Sequence, residues 1–209
     1  MMENTISKNV ILYVIGIFIL IIAILGVSYA LFVFSMNGSK DNVIQTGTIS
    51  MTYTEDTNGI SIDNAYPISD DIGKVLNGKD EYFDFTVGCE LSGRKKINYY
   101  VVAEKVLFDT DQLDDNSVRL YLEKKENNTY VTTPITSVPS PFVSTSGVDN
   151  LEFGDNMMLL YSSSFNNDSS SSKKFSDKFR LRMWISQDSK IDDIKRKFKI
   201  KVNVYSSDS

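Results

Sequence analysis

The sequence predicts an all-β protein, an antiparallel β-sandwich or jelly roll of about eight to ten strands, preceded by one N-terminal transmembrane or signal helix. Three observations carry that reading. Five stretches past residue 42 alternate apolar and polar residues with a period of two, the pattern of a strand with one buried and one wet face. Turn-forming pairs (Asn58-Gly59, Asn77-Gly78, Ser92-Gly93, Asn127-Asn128) and the proline-bearing stretch 134–141 fall between them. Ahead of them all, from Val10 to Phe34, no residue is charged.

That first element is 25 residues long. As a helix it would reach roughly 37 Å, enough to cross a hydrocarbon core of about 30 Å with some tilt. A soluble helix of this length would show a polar stripe, and residues 10–25 are almost wholly aliphatic. Two fates are open. A retained anchor fits the length, because a signal peptide's apolar region usually covers only about 7–15 residues. A cleaved signal fits Ser28-Tyr29-Ala30, a small-x-small pattern that a signal peptidase would cut after Ala30. Either way, Val10 to Phe34 takes the lipid bilayer as its partner. The short tail 1–9, with Lys8 and the α-amino group, reads as cytoplasmic, and the long polar remainder as translocated. Residues 35–42 then form a hinge and residues 43–209 the extracellular sandwich, held at the cell membrane by a single pass or released after cleavage.

Within the sandwich, Val43, Gln45, Gly47, Ile49, Met51 and Tyr53 make one face of a first strand. Phe83, Phe85, Val87 and Cys89 alternate with polar neighbours, as do Val118, Leu120 and Leu122. Phe179, Leu181, Met183 and Ile185 alternate with Arg180, Arg182 and Trp184. Phe198, Ile200, Val202 and Val204 close the chain against outward Lys199, Lys201 and Asn203. Weaker strands read at 59–62, 97–103, 129–133 and 157–163, and short helices at 111–116 and 190–196. The Ser-rich run 162–174 reads as a solvated loop, and no repeat or heptad is visible.

Composition removes much chemistry. With no histidine, neither a Ser-His-Asp nor a Cys-His triad can be built, nor a zinc site that uses imidazole. A lone Cys89 makes no internal disulfide or CxxC pair, and on an apolar face it reads as a small hydrophobe. The formal charge of −5 argues against nucleic acid as a partner. The pairs Lys95-Lys96 and Lys173-Lys174 and the triplet Lys195-Arg196-Lys197 are scattered; lysines at strand edges often block stray pairing. Asp109, Asp111, Asp114, Asp115 and Asn116 form an oxygen-rich run, but the calcium-loop order with a central glycine and terminal glutamate is missing, so it reads as a solvated turn. Asp70 and Asp71 read the same way. A Ser/Lys enzyme of the membrane-anchored signal-peptidase kind needs Ser-x-Met-x-Pro, which does not occur although Ser35-Met36 is in the right region. No spacing nominates a Lys–Asn isopeptide trio. Trp184 has two readings, an exposed contact residue or a cover for the second face of the sandwich. No catalytic, cofactor or metal residue is therefore expected.

Several short motifs together make the chain resemble the TasA/camelysin-like exported surface proteins of Gram-positive bacteria. They are Ser28-Tyr29-Ala30 after the apolar run, the segment from Asn42 to Ile49, and Asn64-Ala65-Tyr66-Pro67-Ile68-Ser69-Asp70. Phe85-Thr86-Val87 with Ser92-Gly93 and Ile97-Asn98-Tyr99, and the closing segments 181–185 and 198–202, complete the set. Ile68 stands where that family often has glycine, and the aromatic after Tyr-Ala is displaced to Phe32. Camelysin is described as a metalloprotease, but a histidine-based zinc site cannot be carried onto this chain. The resemblance implies a jelly-roll surface protein, a fibre subunit or matrix component acting in assembly or adhesion. Its partners would be copies of itself or other surface proteins. From the residues alone, a monomeric membrane-anchored binding or accessory module is the alternative.

Overall fold

The computed structural model describes residues 17, 33–37, 42–46, 49–56, 60, 66–126, 129–132, 139–189 and 197–208. Ser28, Ala30, nearly all of the apolar run, the weak strand at 59–62 except Ile60, and the helix expected at 190–196 lie outside them. Among the described residues no helix is long and apolar enough to cross a membrane.

Two antiparallel sheets form a sandwich. In chain order the strands are β1 (Val33–Asn37), β2 (Asn42–Thr46), β3 (Ile49–Glu55), β4 (Tyr82–Ser92), β5 (Lys95–Lys105), β6 (Val118–Glu126), β7 (Thr129–Thr132), β8 (Met157–Asn167), β9 (Ser172–Ile185) and β10 (Ile200–Asp208). A one-turn helix α1 (Asp70–Gly73) lies between β3 and β4. The four-stranded sheet runs β1-β10-β5-β8 and the six-stranded sheet β2-β3-β4-β9-β6-β7. The chain changes sheets at the tight turn after β4, where Gly93 takes φ +79°, a left-handed conformation that costs glycine little.

The inner faces are those the alternation marks. Phe83, Phe85, Val87, Cys89 and Leu91 of β4 lie opposite Leu181, Phe179, Asp177, Phe175 and Lys173 of β9. Across the sandwich stand Ile97, Tyr99, Val101 and Ala103 of β5 with Val202 and Val204 of β10. Phe85 stacks on Phe179 at 5.2 Å and Tyr99 on Phe165 at 4.8 Å, so aromatic rings fill the middle.

Several expectations change. The single strand read at 43–53 is two paired strands: Thr46 pairs with Ile49, Ile44 with Met51 and Val43 with Thr52, so Val43 and Met51 do not lie on one continuous strand. The hinge read at 35–42 has strand at both of its ends, and residues 38–41 lie outside the described residues. β1 takes Val33 and Phe34 from the apolar run and 35–37 from the hinge, and β2 begins at Asn42. The loop read at 162–174 is mostly sheet, with β8 running to Asn167 and β9 starting at Ser172. In the 111–116 region only a 3-10 turn forms, at Asp115–Ser117.

The larger correction concerns the outer faces, which are covered where wet faces were expected. The segment 143–156 folds over the four-stranded sheet, packing Leu151, Val148 and Phe153 on Tyr100, Val102 and Tyr205. Asn203 is buried under this cover at 0% exposure, and its Nδ2 donates to Glu104 Oε2 at 2.7 Å. On the six-stranded sheet, the segment carrying α1 covers the end of β9.

Candidate functional site

The end of the sandwich where β10 begins holds a cavity of about 300 Å³. Its walls are inward residues of facing strands: Phe83, Leu181 and Met183 on one side, Phe198, Ile200 and Val202 on the other. Glu55, Lys199 and Lys201 stand among its lining residues, and both lysines are exposed. Phe198 is fixed by an edge contact to Phe142 at 6.0 Å. A concave slot whose surface is about as polar as it is apolar, with Glu55, Lys199 and Lys201 beside the apolar walls, suits non-covalent capture of a group with both apolar and polar parts. It offers neither a thiol nor an imidazole to do chemistry.

A second polar constellation is sunk between the sheets. Lys124 of β6 and Asp177 of β9 both point inward and pair at 3.1 Å, each side chain under a fifth exposed. The Tyr99 hydroxyl donates to Asp177, and Lys124 Nζ lies 3.4 Å from the Tyr161 hydroxyl. Burial alone would lower the Lys124 pKa, but the hydrogen bond and charge of Asp177, with the Tyr161 oxygen, outweigh it and hold the pKa above its usual value. Lys124 therefore stays an ammonium ion and cannot serve as a nucleophile. Burial, followed by the bond and charge of Asp177, also pushes the Tyr99 pKa up. These groups are mutually satisfied, which is how a buried charge pair persists.

Cys89 is 3% exposed; burial, helped by the Glu90 charge, pushes its thiol up to about 12. A thiol so raised is inert at neutral pH.

On the outer face of the six-stranded sheet, the Arg180 guanidinium lies 3.9 Å from the Tyr82 ring centre and 4.4 Å from that of Tyr130. It grips Asp84 through two bonds of 2.7 Å and reaches Asn77 Oδ1 at 3.1 Å. The Asp84 bonds, outweighing the cost of burial, raise the Arg180 pKa further. Arg182 donates to Leu76 O and to Glu123. These bonds clamp the segment before β4 against the sheet.

Trp184, read as either an exposed contact or a cover, is 4% exposed, so the contact reading is corrected. Its Nε1 donates to Asp70 Oδ1 at 3.2 Å and Tyr121 meets it edge-on. Gly73 of α1 lies so close that a Cβ there would overlap the indole. The sequence signal for this burial is Met183-Trp184-Ile185, an unbroken apolar run that marks a strand covered on both faces.

The acidic run is divided among other tasks. Asp115 pairs with Lys105 at 2.6 Å and Asp114 accepts from Asn116 N at 2.8 Å. Among the described residues no group of carboxylates or thiols could hold a metal ion.

No protein-family model matches the chain, and no curated protein matches it. Among solved structures it is similar to that of TmCBM61 in complex with β-1,4-galactotriose, at 8% identity and a TM-score of 0.21 over 84% of each chain. At that TM-score neither fold nor ligand carries over. The TasA/camelysin-like resemblance continues to rest on its short motifs.

Proposed function

We propose that this chain is a non-enzymatic, membrane-anchored extracellular module, retained by residues 10–32 and binding a partner or ligand as a monomer. The carrying observation is β1. A fibre subunit that donates a strand needs a free extended segment ahead of β3, and here Val33–Asn37 pairs with β10 of the same chain while Asn42–Thr46 pairs with β3. The described part of the stretch that a fibre would use, Val33–Asn37, is already paired within the sandwich. The slot at the opposite end of β10 is where a group of a partner with both apolar and polar parts would seat, and the inert thiol and protonated lysine support a role without catalysis.

Strand exchange is the second reading. β1 is five residues long and held by one neighbour, so a cut after Ala30 would leave it free to move to another copy. Mass spectrometry of the mature N-terminus separates the two. A protein starting at Met1 or Met2 in the membrane fraction is expected; one starting at Leu31 would overturn the anchored reading.

A further inference from the structure

The strand pairing gathers basic residues that are far apart in the sequence. Val33 pairs with Ser207 and Ser207 with Asn98, so the apolar run enters the domain at the end where β5 starts. Lys95 lies opposite Asn167 and Ser92 opposite Ser172, which brings the β4–β5 and β8–β9 turns to that same end. Arg94, Lys96, Lys173 and Lys174 are exposed there and Lys95 is half-buried. The acidic residues at this end include Glu90, Asp168, Asp208 and Asp149, whose carboxylate accepts from the Tyr100 hydroxyl beside Ser207. Glu90 lies 3.7 Å from Lys174, whose side chain is still 82% exposed. The far end has the opposite sign: Glu55, Asp56, Asp80, Glu81, Asp109, Asp111, Asp114 and Asp115 stand against Lys79, Lys105, Lys197, Lys199 and Lys201. A chain of net charge −5 thus gathers a cluster of exposed positive charge where β1 enters the domain.

We propose that this basic end is a docking surface for the anionic phosphates of the bilayer into which residues 10–32 insert, so that the domain stands with its slot directed away from the membrane. Basic groups near an anionic leaflet are attracted to it within a Debye length, about 10 Å at 0.1 M salt. A segment that ends at Val33 leaves the two turns within that range. The inference rests on the anchored reading above.

The test uses the full-length chain reconstituted in vesicles of phosphatidylcholine, with or without an equal share of phosphatidylglycerol. Flotation scores insertion, and a membrane-impermeant amine reagent with peptide mass spectrometry scores each lysine. The ratio of labelling at Lys95, Lys96, Lys173 and Lys174 to labelling at Lys197 and Lys199 is expected to fall severalfold in the anionic vesicles. High salt should restore it, and so should the double change Lys173→Glu with Lys174→Glu as read at Lys95 and Lys96, with the thermal melt unchanged. Co-flotation with the same ratio in both lipids would overturn the docking surface alone. Failure to float with either lipid would overturn the anchored reading, and this one with it.

Discussion

Cys89 shows how burial acts on a single group. Its pKa is raised from 9.0 to about 12, so the stability it contributes is complete below about pH 9 and is lost as pH rises toward 12. Tyr99 and Lys124 are also raised, and they extend the decline upward from their own unfolded values of 10.0 and 10.5. Denaturant titrations should give constant stability from neutral pH to about 9 and a fall above it. Cys89→Ala should remove the first part of that fall; an unchanged curve would contradict the assignment. Trp184 is the second residue-scale case. As a buried ring Trp184→Ala should cost about 3–5 kcal/mol, and Gly73→Ala about 1–3 kcal/mol by overpacking the same contact. A loss within about 0.5 kcal/mol in thermal melts, typical of an exposed site, would restore the contact-residue reading.

β10 is the element whose register is tested most simply, because both of its neighbours and both of its faces are defined. Val202 faces the core and Lys201 is exposed, so Val202→Asp should unfold the domain while Lys201→Glu stays within about 0.5 kcal/mol. Asn203, read from the sequence as outward and silent, should cost about 1–3 kcal/mol on change to alanine, since Glu104 loses its partner under the 143–156 cover. Circular dichroism melts of the three variants rank them. The inner faces of β4, β6, β9 and β10 were legible because a single covered face imposes period two. The outer covers were not, because a strap's packing is long-range; only the unbroken runs 99–103 and 183–185 hint at it. The β2–β3 turn was hidden because Val43 and Ile44 are both apolar and fit either face. β8 was cut short for two reasons. A bulge at Leu160 shifts its phase, and serine is a weak strand former even where Ser162 and Ser164 stand outward and Phe165 inward. The slot had no sequence signal, since its walls are ordinary core residues at the end of the sandwich.

For the whole molecule, the uncharged apolar run and the sandwich meet at β1, and the proposed function depends on which copy's β10 that strand pairs with. Val33 and Ser207 are direct antiparallel partners, a geometry in which Cα atoms lie about 4.5–5.5 Å apart and a disulfide fits. Cys89, buried with its thiol pKa raised, stays out of the exchange. The most direct measurement is therefore non-reducing electrophoresis of the full-length Val33→Cys, Ser207→Cys double variant after mild oxidation in membranes. The account predicts one monomeric band of altered mobility, with the 33–207 crosslinked peptide identified from that band; a ladder of disulfide-linked oligomers, or no crosslink, would contradict it.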